Sequence, residues 1–212
     1  MCRLLFVQNK NEFSISEHLA KFALIAKNSK EYQGHGWGCS YLVNGDWIHY
    51  KNIRPIWEDD LRQFGNSNRL IVHARSAFED KDIIVENNMP FYDDKYVFIF
   101  NGELHGVKIK ADGRIGAEKI FNFIKRFNKN GMYESLQKGV DVISKHTSYI
   151  KAMNIIIAEK DKVYYSSLFN QDAEYFQMHY KQTDSELVIC SEVYPNESGW
   201  NKIDNNSNGV FK

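Results

Sequence analysis

A chain of 212 residues, 43% hydrophobic and 25% charged, has the length and composition of one globular domain able to bury a substantial core. Lys plus Arg and Asp plus Glu both number 27, so the formal charge is zero, which argues against nucleic acid or a membrane surface as partner. No apolar stretch approaches the ~18–20 residues of a membrane span, and the N-terminus lacks the charged start and long apolar core of a signal peptide, so the cytoplasm is the expected compartment.

In chain order, the first predicted element is a strand over 4–7, where Leu4, Leu5, Phe6 and Val7 form a continuous apolar run suited to a sandwich core. Ser14-Ile15-Ser16-Glu17 has capping-box spacing, and Leu19, Phe22, Ala23 and Ala26 continue a helical apolar face. Residues 36–43 and 47–51 read as strands joined at Asn44-Gly45, a strong hairpin signal. A short helix is expected over 57–64, and strands dense in Val, Ile and Phe over 69–74 and 96–100. Two helices follow. The stretch 115–127 places Ala117, Ile120, Phe121 and Ile124 on one face, and 132–145 does the same with Leu136, Val140 and Ile143. The last third predicts strands over 152–158, 163–168, 175–180 and 186–191. With no repeat or linker, and prolines only at 55, 90 and 195, a single domain over 1–212 is expected. Strands, then helices, then strands suggest an α+β layered architecture, and a two-sheet sandwich flanked by helices fits the count.

The three cysteines, Cys2, Cys39 and Cys190, are odd in number, far apart and free of Cys-x-x-Cys spacing, which argues against a disulfide framework or a structural zinc site. His35 and Cys39 are four apart but a lone pair is no metal site, and no metal or organic cofactor is indicated. Cys39 and Cys190 read as structural. Cys2 differs. A small second residue is what removal of the initiator methionine requires, and removal would give one residue both a thiol and a free α-amine. An α-amine titrates near ~7.7–8.0, so at neutral pH it is able to take the thiol proton, the N-terminal-amine form of an activated nucleophile. A core strand starting immediately afterwards would hold that terminus rigidly, where most termini fray.

Three further segments carry chemistry. Gly34-His35-Gly36-Trp37-Gly38 is too glycine-rich for an unbroken strand unless another backbone or a ligand approaches closely; otherwise it is a bulged strand packing Trp37 in the core. His73-Ala74-Arg75 ends an apolar strand, and its arginine is either a solvated or paired charge or a planar fork for a carboxylate. Phe100-Asn101-Gly102 stands at another strand end. An Asn-Gly pair is commonly a turn, but the Asn101 amide and Gly102 backbone N–H are also a pair of donors able to stabilise an oxyanion.

Together these features resemble the class II glutamine amidotransferases, N-terminal-nucleophile hydrolases, and most closely their small stand-alone members. The residues carrying the resemblance are Met1-Cys2-Arg3-Leu4-Leu5, Gly36-Trp37-Gly38, His73-Ala74-Arg75, an Asn-x-x-Pro-Phe segment at Asn87 or Asn88 with Pro90-Phe91, Asn101-Gly102, and late in the chain Ser191-Glu192, Trp200 and Asn205-Asn206. The resemblance implies a four-layer αββα sandwich of two antiparallel sheets. It implies Cys2 as nucleophile with its own α-amine as base, Asn101 and Gly102 as the oxyanion hole, Arg75 holding a substrate α-carboxylate, and Trp37, Gly38 and Asp112 as further substrate-binding candidates. The implied reaction is hydrolysis of the side-chain amide of glutamine or a related γ-glutamyl amide through a thioester. The small-molecule substrate would yield ammonia for a separate synthase subunit or simply for solvent.

Three departures bear on the substrate. Look-alikes place an aspartate for the glutamine α-amine at the start of the helix after the oxyanion strand, where this chain has Gly116-Ala117-Glu118, with Asp112 in the preceding loop. His35 also stands where an acidic residue is usual, and Ser76-Ala77-Phe78 replaces the Trp-Ala-Thr of synthase-fused members. The alternative function is therefore a catalytically degenerate protein of this fold, acting as a ligand-binding or partner subunit.

Overall fold

The computed structural model describes residues 1–212. Strand β1 (Arg3–Ser14) runs well past the predicted end at Val7, with a register break between Gln8 and Phe13. Helix α1 (Ile15–Lys27) follows, but the expected capping box does not form. The Ser14 hydroxyl pairs with the Ser16 hydroxyl at 3.0 Å instead, and the Ile15 N–H at the first helical position donates to the Gly65 carbonyl at 3.1 Å. Strands β2 (Trp37–Val43) and β3 (Asp46–Asn52) form the predicted hairpin around Asn44 and Gly45. In place of one helix over 57–64 there are two 3-10 turns, Ile56–Glu58 and Leu61–Gln63. Asp59 and Asp60 divide them by accepting the backbone N–H groups of Asp60 and Arg62, the local bonding by which aspartate competes with a helix.

Strand β4 (Asn66–Ala74) is followed by the two-residue β5 (Phe91–Tyr92), β6 (Val97–His105), helices α2 (Gly116–Lys125) and α3 (Met132–Lys145), and strands β7 (Tyr149–Ala158) and β8 (Val163–Ser167). Asn101 and Gly102 do not end their strand, as expected, but lie inside β6. They pair with Asn154 and Met153 of β7, and the register shifts only after Glu103. The strand expected over 175–180 is instead the short helix α4 (Ala173–Phe176) and then β9 (His179–Gln182). The Asp172 carbonyl accepts the N–H groups of both Tyr175 and Phe176 and closes a helical turn there. Strands β10 (Glu186–Cys190), β11 (Asn201–Lys202) and β12 (Ser207–Phe211) complete the chain.

The chain divides into two compact units, Met1–Pro90 with Gln177–Ile203, and Phe91–Phe176 with Asp204–Lys212. The first holds a seven-stranded antiparallel sheet in the order β11-β9-β10-β1-β4-β2-β3. Cys39, Val72, Leu5 and Cys190 stand in one cross-strand row. They pack with Leu19, Phe22, Ala23 and Ala26 of α1, so burial of that helix's apolar stripe is what orders it. Leu4 and Phe6 point to the opposite face and are equally closed to solvent, which is why β1 begins as an uninterrupted apolar run.

The second unit holds a five-stranded antiparallel sheet, β12-β8-β7-β6-β5. The predicted faces of α2 and α3 are buried, Phe121 of α2 stacks on Phe98 of β6 with ring centroids 4.9 Å apart, and the Ser135 hydroxyl of α3 donates to the Ile124 carbonyl of α2. Two antiparallel sheets carrying a few helices are the α+β class expected. No helix is long and apolar enough to cross a membrane.

Candidate functional site

Cys2 precedes the central strand of the first sheet, and the start of that strand is tied down from several directions. The Leu4 N–H donates to the Ser191 hydroxyl at 3.0 Å, and the Ser191 N–H returns a bond to the Leu4 carbonyl. Arg3 pairs with Glu192 at 2.8 Å and donates to Ser29, while the Gln33 amide donates to the Met1 carbonyl. The late Ser191-Glu192 pair therefore fastens the beginning of the chain.

The Cys2 thiol lies 3.6 Å from the Ser76 carbonyl. Burial pushes its pKa up, and the opposing pull of the terminal ammonium, the Ser76 bond and the Arg75 charge does not overcome burial. Cys39 and Cys190 are fully buried structural thiols, and burial pushes Cys190 up to about 12. Of the three, only Cys2 is partly open to solvent.

Arg75 follows β4, and its backbone continues the pairing with β2 by donating to the Gly36 carbonyl. Its buried guanidinium reaches three neutral oxygens of segment 76–88: the Asp82 carbonyl at 3.0 Å, the Asn88 side chain at 3.3 Å and the Ile84 carbonyl at 3.5 Å. None is a carboxylate. Its hydrogen bonds thus go to neutral groups, while the Asp82 carboxylate acts on its charge through space. In the first unit the structure thus brings Cys2 and Arg75 into one electrostatic neighbourhood, each charge favouring the other.

Trp37 and Gly38 hold this neighbourhood from behind. The Trp37 indole is wholly buried in the core, T-shaped against Phe64, and its N–H donates to Asp59 at 2.9 Å, which leaves only backbone for any ligand. Gly38 explains the glycine-rich segment as a close approach of backbone: a Cβ there would lie 2.6 Å from the Met89 carbonyl and 2.9 Å from that of Tyr50.

Asn101, Gly102 and Asp112 belong to the second unit. Asn101 is completely buried, yet neither its amide nitrogen nor its carbonyl oxygen has a partner. An unpaired buried polar group costs ~1–3 kcal/mol, so both polar atoms of Asn101 weigh against the stability of the fold. Gly102 admits no side chain, since a Cβ would fall 2.2 Å from the Ala152 carbonyl. Asp112 is exposed in the loop before α2, with its carbonyl rather than its carboxylate engaged, by Asn122 at 2.9 Å. Gly116 opens α2 with nothing within 4 Å of where a Cβ would stand. Glu118 in the first turn is bound through both oxygens to Arg114.

Three residues carry more here than their sequence context conveyed. His35 bonds to Ala77, Gln33 bonds to the terminal residue, and Asn205 clamps the Phe169 backbone with two bonds of 2.8 Å. For Asn205 the Asn-Asn pair was the available signal; the partners of the other two lie across loops with no periodicity.

No protein-family model matches the sequence, and no curated protein matches it. Solved structures do. A glutamine phosphoribosylpyrophosphate amidotransferase from B. subtilis aligns over 90% of this chain with a TM-score of 0.65 at 13% identity, the chain spanning 42% of that enzyme's length. A glutamine aminotransferase class-II domain protein from Silicibacter pomeroyi aligns over 96% of this chain and 92% of its own, with TM-score 0.65 and 13% identity. A protein described as a predicted glutamine amidotransferase from Pseudomonas aeruginosa aligns over 99% and 97%, with TM-score 0.63 and 14% identity. Likeness of this extent at such low identity is a likeness of architecture: the chain has the fold of the class II glutamine amidotransferase domain.

Proposed function

We propose that this protein hydrolyses the side-chain amide of glutamine or a related γ-glutamyl amide, with Cys2 as nucleophile once Met1 is removed, and that its two units act as one catalytic domain. The observation that carries the reading is the Asn101 carboxamide, buried and without a partner beside a glycine that cannot be replaced. Cys2, fastened before a central strand beside an Arg75 whose three hydrogen bonds go to neutral oxygens, supports it from the other unit.

In this reaction the Cys2 α-amine takes the thiol proton and the sulfur attacks the amide carbon. The C=O electron pair moves onto oxygen, which the Asn101 amide and Gly102 N–H stabilise. The pair returns, the C–N bond breaks, and ammonia leaves with the proton carried by the α-ammonium. Water, deprotonated by the same amine, then attacks the thioester; the C–S bond breaks, the sulfur regains its proton, and the acid is released. Arg75 holds the substrate carboxylate by charge-assisted bonds. A separate synthase subunit is the proposed user of the ammonia released.

The test is ammonia release from glutamine and from γ-glutamyl dipeptides by the Met1-trimmed protein, with Cys2→Ala as control. Turnover lost in the variant supports the reading; equal turnover by the variant, or none from any of these substrates, overturns it. A second reading, a ligand-binding protein without turnover, is favoured by the engagement of Glu118 with Arg114, which leaves the first turn of α2 without a free carboxylate. Covalent labelling of Cys2 by a glutamine-analogue diazoketone counts against it.

A further inference from the structure

His35 bonds on both sides of the residue that touches Cys2. Its backbone N–H donates to the Arg75 carbonyl at 3.1 Å, and its Nδ1 accepts the Ala77 N–H at 2.8 Å. Ser76 lies between those partners, and the Ser76 carbonyl faces the Cys2 thiol. Since Nδ1 is the acceptor, the proton of the neutral ring sits on Nε2, which faces the Asp80 carboxylate at 3.5 Å. The same ring thus reaches the segment whose Asp82 and Ile84 carbonyls take the Arg75 guanidinium. Glu79, Asp80 and Asp82 in this segment all adopt positive φ, a conformation that residues with a Cβ keep only when their surroundings impose it.

We propose that His35 is a positioning residue: its neutral Nε2–H form latches segment 76–88 in the arrangement that serves Cys2 and Arg75, and protonation of Nδ1 releases it. An imidazolium has no lone pair for the Ala77 N–H, so acid turns an acceptor facing a donor into two opposed donors. The charged groups facing the ring are Asp80 in the segment, which favours the imidazolium, and Arg75 and the terminal ammonium, which disfavour it. Tyr32 meets the ring edge-on without charge. Burial is the largest influence and lowers the ring's pKa below the ordinary 6.5. The sign follows: the latch holds at neutral pH, persists at 6.5, and is lost as acidity increases beyond that. The latch stands on its own geometry, and its consequence for substrate rests on the function proposed above.

Hydrogen exchange of the full chain at Ala77 and through 78–82, corrected for intrinsic rates, tests the latch at pH 7.5 and at pH ~4.5, below the ordinary histidine range. His35→Ala removes the acceptor, while His35→Asn places an oxygen near the Nδ1 position and does not titrate. Wild type is expected to lose protection in acid by about tenfold, the weight of one buried hydrogen bond; His35→Ala lacks it at both pH values and His35→Asn keeps it at both. Protection in His35→Ala equal to wild type, or wild-type protection indifferent to pH, overturns the latch. With a turned-over γ-glutamyl amide, His35→Ala should raise KM about tenfold with kcat little changed, and His35→Asn should restore it. An unmoved KM beside a lost latch overturns the positioning role. Absence of turnover in wild type with the exchange pattern intact overturns the proposed reaction and leaves the latch standing.

Discussion

Asn101 and Asn154 stand opposite each other on β6 and β7, and only Asn154 has its side chain occupied. The Asn154 amide donates to the Phe176 carbonyl at 2.7 Å and its oxygen accepts the Leu168 N–H at 3.2 Å, while both polar atoms of Asn101 are unpaired. The two should therefore respond differently to alanine. Asn154→Ala orphans the buried Phe176 carbonyl and the half-buried Leu168 N–H and is expected to cost ~2–4 kcal/mol in urea unfolding. Asn101→Ala removes an unsatisfied amide and should cost clearly less, while lowering amide hydrolysis by ~10²–10³. Equal destabilisation by the two variants would contradict the assignment of Asn101 to chemistry.

Alkylation of Cys2 provides a second check. With Met1 in place the residue has no amine of its own, and burial raises the thiol's pKa. Iodoacetamide should then modify Cys2 more slowly than a free cysteine at pH 7, with the rate climbing beyond the ordinary thiol range. After Met1 is trimmed, faster labelling at neutral pH is expected, as the new amine takes the proton. Rapid neutral-pH labelling before trimming would point to another base.

Asp59 is the polar anchor behind β2 and β3. One of its oxygens accepts from Trp37 at 2.9 Å, Tyr50 at 2.8 Å and Asn52 at 2.7 Å. Asp59→Ala strands the buried indole N–H and should destabilise the protein by ~2–3 kcal/mol, read from the shift of the urea midpoint at constant m. Asp59→Asn keeps an acceptor and should cost less.

His18 should make stability fall in acid. Burial first, and the Lys21 charge second, lower its pKa to about 4, outweighing the pull of Glu197. The unfolded chain, with an ordinary value near 6.5, binds the proton more readily, so the contribution is full above that value and drains away as pH falls toward 4. The loss across that window is about 3 kcal/mol. Replacing His18 with Gln should make the fall between those two values shallower, leaving the shares of His35, His49 and His179, whose pKa values burial also lowers. Unfolding midpoints across the window measure it.

Elements with a repeating pattern were readable from the residues alone. The apolar stripes of α1, α2 and α3 are buried as their spacing implied, and the β2–β3 hairpin turns where Asn44-Gly45 predicted. Strands of two residues, β5 and β11, leave no period to read. Asn101-Gly102 looked like a strand end because Asn-Gly is a turn signal locally, whereas pairing with β7 decides the matter from fifty residues away. The site divided in the same way. Cys2, Arg75 and Asn101 were visible as residue types in context, but the emptiness around the Asn101 amide and the bonds from His35 to Ala77 come from tertiary neighbours. Ser14 shows the converse: a capping-box spacing whose hydroxyl pairs with the Ser16 side chain and makes no cap bond.

The opening strand of this protein occupies the middle of its sheet, yet one of its two flanking strands is β10, and the Leu4–Ser191 bond spans 187 positions. Ribosomal synthesis runs from the first residue onward, so the place beside β1 stays vacant on one side until the chain has been made through Cys190. Throughout that interval the leading end is an open peptide within reach of an aminopeptidase; afterwards Gln33 and Ser191 grip it. Timing, under the proposed chemistry, thus becomes part of activation: trimming belongs to the nascent chain, and a tag fused ahead of Met1 would leave a folded but silent protein.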